Sequence, residues 1–137
     1  MKRAALTCLV LLIGTAGSAM AACPGPDQLY MNAADLAGLK VCGRRGSDQW
    51  QEEHRGGPSS GELWDFKKGP SDPIDPSEKV GTWAVDPAKP KVITYTYDGG
   101  GVYSFRVFRK GKKFAFCGVN NSEEIAATVV PRVVPCS

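Results

Sequence analysis

From Asp48 to Val134 the chain is a succession of short runs in which apolar and polar residues alternate, each cut off by glycine or proline. A period of two places successive side chains on opposite faces of a strand, so every run has one face to bury. Residues 48–54 put Trp50, Glu52 and His54 on one face. Residues 62–68 put Trp64 and Phe66 on one face and Asp65 and Lys67 on the other. Trp83 and Val85 align within 80–85, and Ile93, Tyr95 and Tyr97 align within 91–97. Tyr103, Phe105 and Val107 align within 102–109, and Phe114 and Phe116 share a face beyond them. These β-branched and aromatic types suit a pleated, half-buried surface. Residues 125–134 are apolar too, but Pro131 lacks the ladder donor and marks an edge or a bulge.

The breaks are as informative as the runs. Asp98-Gly99-Gly100-Gly101 is a hairpin turn, because glycine reaches positive φ without strain. Lys110-Gly111-Lys112 is another, and residues 55–61 turn the chain between two strands. Pro70, Pro73 and Pro76 make residues 69–79 a long stiff loop, and Pro87 and Pro90 form a shorter one. Ahead of the strands, residues 32–40 read as a short helix, capped by Asn32, with Leu36 and Leu39 on one face and Gly38 weakening its end. The expected fold is mainly β: an antiparallel meander of six or seven strands, curled or closed into a small barrel, behind one short N-terminal helix.

The first 21 residues have a different character. Lys2 and Arg3 precede the apolar stretch 4–14, and small residues follow up to Ala19-Met20-Ala21. That is the layout of a secretory signal cleaved before Ala22, and the apolar stretch falls short of the roughly 20 residues of a membrane span. The expected organisation is a signal peptide, 1–21, and one small domain, 22–137, in the periplasm or secreted. Met20-Ala21-Ala22-Cys23 also resembles a lipobox, so the alternative is a lipoprotein anchored at Cys23.

Cys8 leaves with the signal, and Cys23, Cys42, Cys117 and Cys136 remain. An even count in an oxidising compartment points to two bridges, and four cysteines allow three pairings. The expected pairing is Cys23–Cys136, tying the chain ends, with Cys42–Cys117. No C-x-x-C spacing supports redox chemistry. The formal charge of +3 falls to +1 once Lys2 and Arg3 are removed. That balance gives no reason to expect nucleic acid as a partner. Arg106, Arg109, Lys110, Lys112 and Lys113 cluster as a charged hairpin tip, a device that keeps strand edges from pairing with other chains.

Gly81-Thr82-Trp83, within the stretch Val80-Gly81-Thr82-Trp83, resembles the G-x-W of lipocalins and avidins, and the layout is similar to that of small exported bacterial barrel-like proteins. In those families the motif opens the first strand, whereas here it lies mid-chain. The resemblance implies a barrel-like fold with a cavity, and no site residue carries over from it.

Candidate chemistry is sparse. His54 is the only histidine, which removes any zinc site needing two, and no G-x-S-x-G elbow accompanies Ser59 or Ser60. Glu52 and His54, about 7 Å apart along one strand face, form an acid–base candidate, with Asp65 on the neighbouring strand as a third member. Asp72, Asp75 and Glu78 carry oxygen ligands, but Asp-Pro turn chemistry accounts for two of them. Trp50, Trp64 and Phe108 are the candidate binding surface, because not every aromatic in alternating strands can enter one core. No cofactor is implied. The expected function is a monomeric, non-catalytic exported binding module for a small apolar ligand or an envelope protein; the alternative is a small envelope hydrolase or lyase using Glu52 and His54. The first check is the intact mass of the protein from its own cell envelope. A chain starting at Ala22 and lighter by the hydrogens of two bridges is expected, and a lipid adduct on Cys23 would establish the anchored alternative.

Overall fold

The computed structural model describes residues 23, 29–30, 32–45, 48–66 and 77–136, so the signal segment and most of the proline-rich loop, with Asp72 and Asp75, lie outside it. Among the described residues nine strands follow one another: β1 (Leu29–Tyr30), β2 (Leu39–Arg45), β3 (Asp48–Gly56), β4 (Ser60–Phe66), β5 (Glu78–Val85), β6 (Val92–Tyr97), β7 (Val102–Lys110), β8 (Lys113–Gly118) and β9 (Glu124–Pro131). All pairings are antiparallel. Strands β2 to β7 run in chain order, β9 pairs with both β2 and β8, and β8 pairs with β7, so eight strands close into a barrel. The two-residue β1 adds to β7 alone. Closure removes the free edges that an open meander would expose.

Alternation decides what fills the barrel. Leu63, Trp83, Ile93, Val107 and Phe116 point inward and are buried, as are Tyr95 and Phe105. The inward sets are those the sequence pattern groups together on β3, β5, β6, β7 and β8. On β4 the inward set is Leu63 with Asp65, opposite in parity to Trp64, because β4 must present Leu63 to the core beside His54, its register partner.

The expected helix over 32–40 is reduced to a single 3-10 turn, Ala33–Leu36. Asn32 does cap it, its side-chain oxygen accepting from the Ala34 N–H at 3.1 Å. Gly38 then takes a φ of +75°, and the chain enters β2 at once. The turn closes one end of the barrel. Ala33 and Leu36 are fully buried, the Ala33 N–H donates to the Pro90 carbonyl at 2.7 Å, and the Gly38 N–H donates to the His54 carbonyl at 2.7 Å. Burying Leu36 supplies roughly 2 kcal/mol of hydrophobic stabilisation at this end.

The disulfides depart from the expected pairing. Cys23 bonds Cys117 and Cys42 bonds Cys136, with Cα separations of 5.9 and 5.7 Å. Cys42 and Cys117 lie on strands separated by β9, facing Thr128 and Glu124 of that strand respectively. They are therefore about 10 Å apart across the sheet and about 13 Å along it, beyond the reach of a bridge. After Pro131 the chain turns back over the outside of β2, where the Val134 carbonyl accepts from Lys40 Nζ at 3.2 Å and Cys136 meets Cys42. Two disulfides are compatible with an oxidising extracellular compartment. Each spans 94 residues, so each is expected to stabilise by roughly 4 kcal/mol on the loop-entropy view. Non-reducing peptide mapping should recover Cys23–Cys117 and Cys42–Cys136 as the only cross-linked pairs. A Cys42→Ser/Cys136→Ser double variant should lose several kcal/mol in chemical denaturation.

Candidate functional site

The end of the barrel opposite the 3-10 turn holds a cavity of about 290 Å³. Its walls come from Val41 on β2, Trp50 and Glu52 on β3, Asp65 on β4, Tyr95 and Tyr97 on β6, Tyr103 and Phe105 on β7, Phe116 on β8, Glu123 just ahead of β9 and Ile125 on β9. The cavity reaches the surface beside Tyr103, which is 43% exposed. Trp50 lies across the inward face of Gly43, its register partner on β2, where any Cβ would collide with the indole. Glycine at position 43 thus lets a large ring lie against the wall rather than fill the lumen.

Glu52 is the central polar group. It is only 8% exposed, and its Oε1 accepts from the Tyr97 hydroxyl at 2.6 Å. Among the described residues Tyr97 is its one hydrogen-bond partner, which leaves Oε2 without one. Asp65 stands directly opposite on β4 and also faces the cavity. Burial raises the Glu52 pKa from the ordinary 4.5 to about 7; the Tyr97 bond works against that rise, and the Asp65 charge adds to it. Tyr97 is pushed upward in turn, by burial and by the charge of Glu52, so its hydroxyl stays a donor.

The aromatic wall is continuous. Tyr97 meets Tyr103 edge to face with centroids 5.9 Å apart, Tyr95 lies 6.1 Å from Phe105, and Phe105 meets Phe116 edge to face at 6.3 Å. Such offset and T-shaped pairs are the favoured aromatic geometries.

His54 shares the inward face of β3 with Glu52, as the alternation requires, but lies deeper. It is fully buried, hydrogen bonded through Nε2 to the Tyr95 hydroxyl at 2.9 Å, and packed 5.5 Å from the ring of Trp83. Burial lowers its pKa from 6.5 to about 4, with the carbonyls of Leu39 and Glu52 acting the other way. It is a neutral core histidine at physiological pH. The Glu52/His54 candidate therefore divides: Glu52 lines the cavity, and His54 belongs to the packing beneath it.

The three aromatics expected to form a binding surface are scattered. Trp50 lines the cavity. Trp64 lies on the outside of the barrel, its face covered by the Arg55 guanidinium 4.0 Å away and its indole N–H donating to Glu62 at 3.0 Å. Phe108 offers no surface, being 2% exposed and packed with Ala115 and the Cys23–Cys117 bridge. Glu78 is exposed on β5, and no group of metal-ligating side chains occurs among the described residues. Val41, Glu123 and Ile125 escape the sequence reading as wall residues, because nothing in the sequence gives the register that brings β2 and β9 together. The one available signal for Tyr97 and Tyr103 is their parity with Tyr95 and Phe105. Comparison with family models, curated proteins and solved structures yields no match to this chain.

The two buried groups have opposite effects on stability. Glu52 holds its proton in the folded protein up to about pH 7, whereas in the unfolded chain it loses it near 4.5, so its contribution is lost as pH rises between those values. His54 stays neutral when folded down to about pH 4, so its contribution is lost as pH falls from 6.5. Glu52→Gln removes the first effect and keeps an acceptor for Tyr97. The stability of this variant relative to wild type should therefore improve by roughly 3 kcal/mol between pH 4 and pH 8. Urea denaturation at a series of pH values checks this, and a difference independent of pH would remove the buried acid from the account.

Proposed function

We propose that this protein is an exported, non-catalytic binding module that holds a small ligand inside the barrel. The observation that carries this reading is the cavity of about 290 Å³, walled by aromatic rings and holding a nearly buried carboxyl with one unpartnered oxygen. Natural pockets share that composition: apolar and aromatic walls with a few polar groups that fix orientation. The volume lies at the small end of such pockets, which points to a compact molecule. The walls are strands of a closed sheet, stapled on the outside by two disulfides, so the site is largely formed before any ligand arrives. A periplasmic or secreted location, reached by cleavage before Ala22, belongs to the same reading, as does the resemblance of Gly81-Thr82-Trp83 to the G-x-W of lipocalins and avidins.

The acid–base alternative draws less support. A carboxyl poised near pH 7 suits proton transfer, but its expected partner His54 is sealed in the core against Tyr95 and Trp83.

Native mass spectrometry of the protein from its own cell envelope tests the binding role. A small molecule retained by wild type and lost from Ile125→Trp, with an unchanged circular dichroism spectrum, is the expected result. The added ring occupies cavity space rather than overfilling a packed core, so the variant should fold. A ligand retained by that variant would place binding elsewhere on the molecule.

A further inference from the structure

We propose that the cavity is selective for a small organic cation, an ammonium group carried on a compact apolar body, with Glu52 as its counter-ion. This rests on the binding role above and names the class of ligand that the site takes. Three features of the cavity lead to it. First, among the described residues the wall contains the acids Glu52, Asp65 and Glu123 and no lysine, arginine or histidine. An anionic ligand would meet the Glu52 carboxylate there, with only neutral hydroxyl and indole donors to offset it, which disfavours it in a desolvated site. Second, Glu52 is more than nine-tenths buried, lines the cavity, and uses only Oε1, on Tyr97. Tyr97 fixes the carboxyl, leaving Oε2 to receive a donor. An ammonium supplies that donor together with the charge that a buried carboxylate lacks. Third, the rings of Tyr97, Tyr103 and Trp50 stand in the same wall. The face of an aromatic ring attracts a cation, and tyrosine and tryptophan do so best when water is excluded.

Ionisation sets how the selectivity varies with pH. Among the described residues the groups that face Glu52 are Asp65 from β4, Tyr95 and Tyr97 from β6, Tyr103 from β7 and Glu123 ahead of β9. Burial and Asp65 favour its neutral form near and below pH 7, and a bound cation favours the carboxylate. An alkylammonium keeps its charge from pH 5 to pH 8, so any change in preference across that range reports the protein's own acids.

The probes are benzylammonium, benzyl alcohol and benzoate, which share a ring and differ in the polar end. Each is titrated into the full disulfide-bonded protein by calorimetry at pH 8 and pH 5. At pH 8 benzylammonium should bind at least tenfold more tightly than benzyl alcohol, with benzoate the weakest. At pH 5 the preference should shrink severalfold. Glu52→Gln should abolish the preference at pH 8, whereas Glu62→Gln, on the outside of the barrel, should keep it. The wild-type pH comparison decides the matter even if the Glu52 variant fails to fold. Equal binding of the amine and the alcohol, or preference for benzoate, would overturn the cation proposal while leaving a binding cavity in place. No binding by any of the three would overturn both.

Discussion

Closure of the sheet through β9, which pairs with β2 on one side and β8 on the other, is the constraint from which the remaining features follow. Once the eight strands form a ring, every residue has one of two environments, and parity assigns it. The inward set on β3 is Trp50, Glu52 and His54, and one strand therefore contributes a wall ring, a cavity acid and a core histidine in order of depth. The difference between His54 and Glu52 is a matter of level in the barrel. Leu36 from the 3-10 turn fills the space below and seals His54 in, while the level of Glu52 has no such plug.

That division has an electrostatic consequence. A carboxyl and an imidazole two residues apart on one face are both desolvated, and desolvation favours the neutral form of each. The acid is shifted up and the base down, so within the overlap of their shifted ranges both stay uncharged. A buried ion pair between them would have required a shared hydrogen bond; instead each is bonded to a different tyrosine of β6, Tyr95 for His54 and Tyr97 for Glu52. The β6 tyrosines thus keep the two groups apart chemically as well as spatially.

Much of this was legible in the sequence because alternation survives without tertiary knowledge. The shared faces of Trp50, Glu52 and His54, of Ile93, Tyr95 and Tyr97, and of Tyr103, Phe105 and Val107 are all inward faces. The glycine turn at 98–101 and the turn at Gly111 fall where the composition puts them. What was not legible depends on which strands become neighbours. Leu39–Arg45 was hidden behind the helical spacing of Leu36 and Leu39, since Gly43 and Arg44 give it little β character. With β2 missing, its pairing with β9 was missing too, and so were the Cys42–Cys136 bridge and the wall positions Val41 and Ile125. On β4, alternation groups Trp64 with Phe66 on one face but does not say which face turns inward. The sheet buries Leu63 and sends Trp64 outward, where the guanidinium of Arg55 covers it.

The outside of the barrel explains how a cavity with a desolvated acid can be tolerated in so small a domain. Glu53, the neighbour of Glu52 on β3, points outward and is buried there. Arg55 contacts its Oε2 at 2.8 Å and Lys40 approaches its Oε1 at 3.7 Å. Lys40 also donates to Val134 in the returning C-terminal segment, which the Cys42–Cys136 bridge holds against the same strand. Polar satisfaction is therefore concentrated on the outer surface of β2 and β3, where Glu53 has Arg55 and Lys40 close by. The inner surface of the same strands carries Glu52 with a single hydrogen bond. Disulfides and the outer ion pairs hold the wall in place independently of what the lumen contains. On the reading proposed above, this leaves the inner carboxyl, which adds a single hydrogen bond to the wall, as the group that meets a ligand.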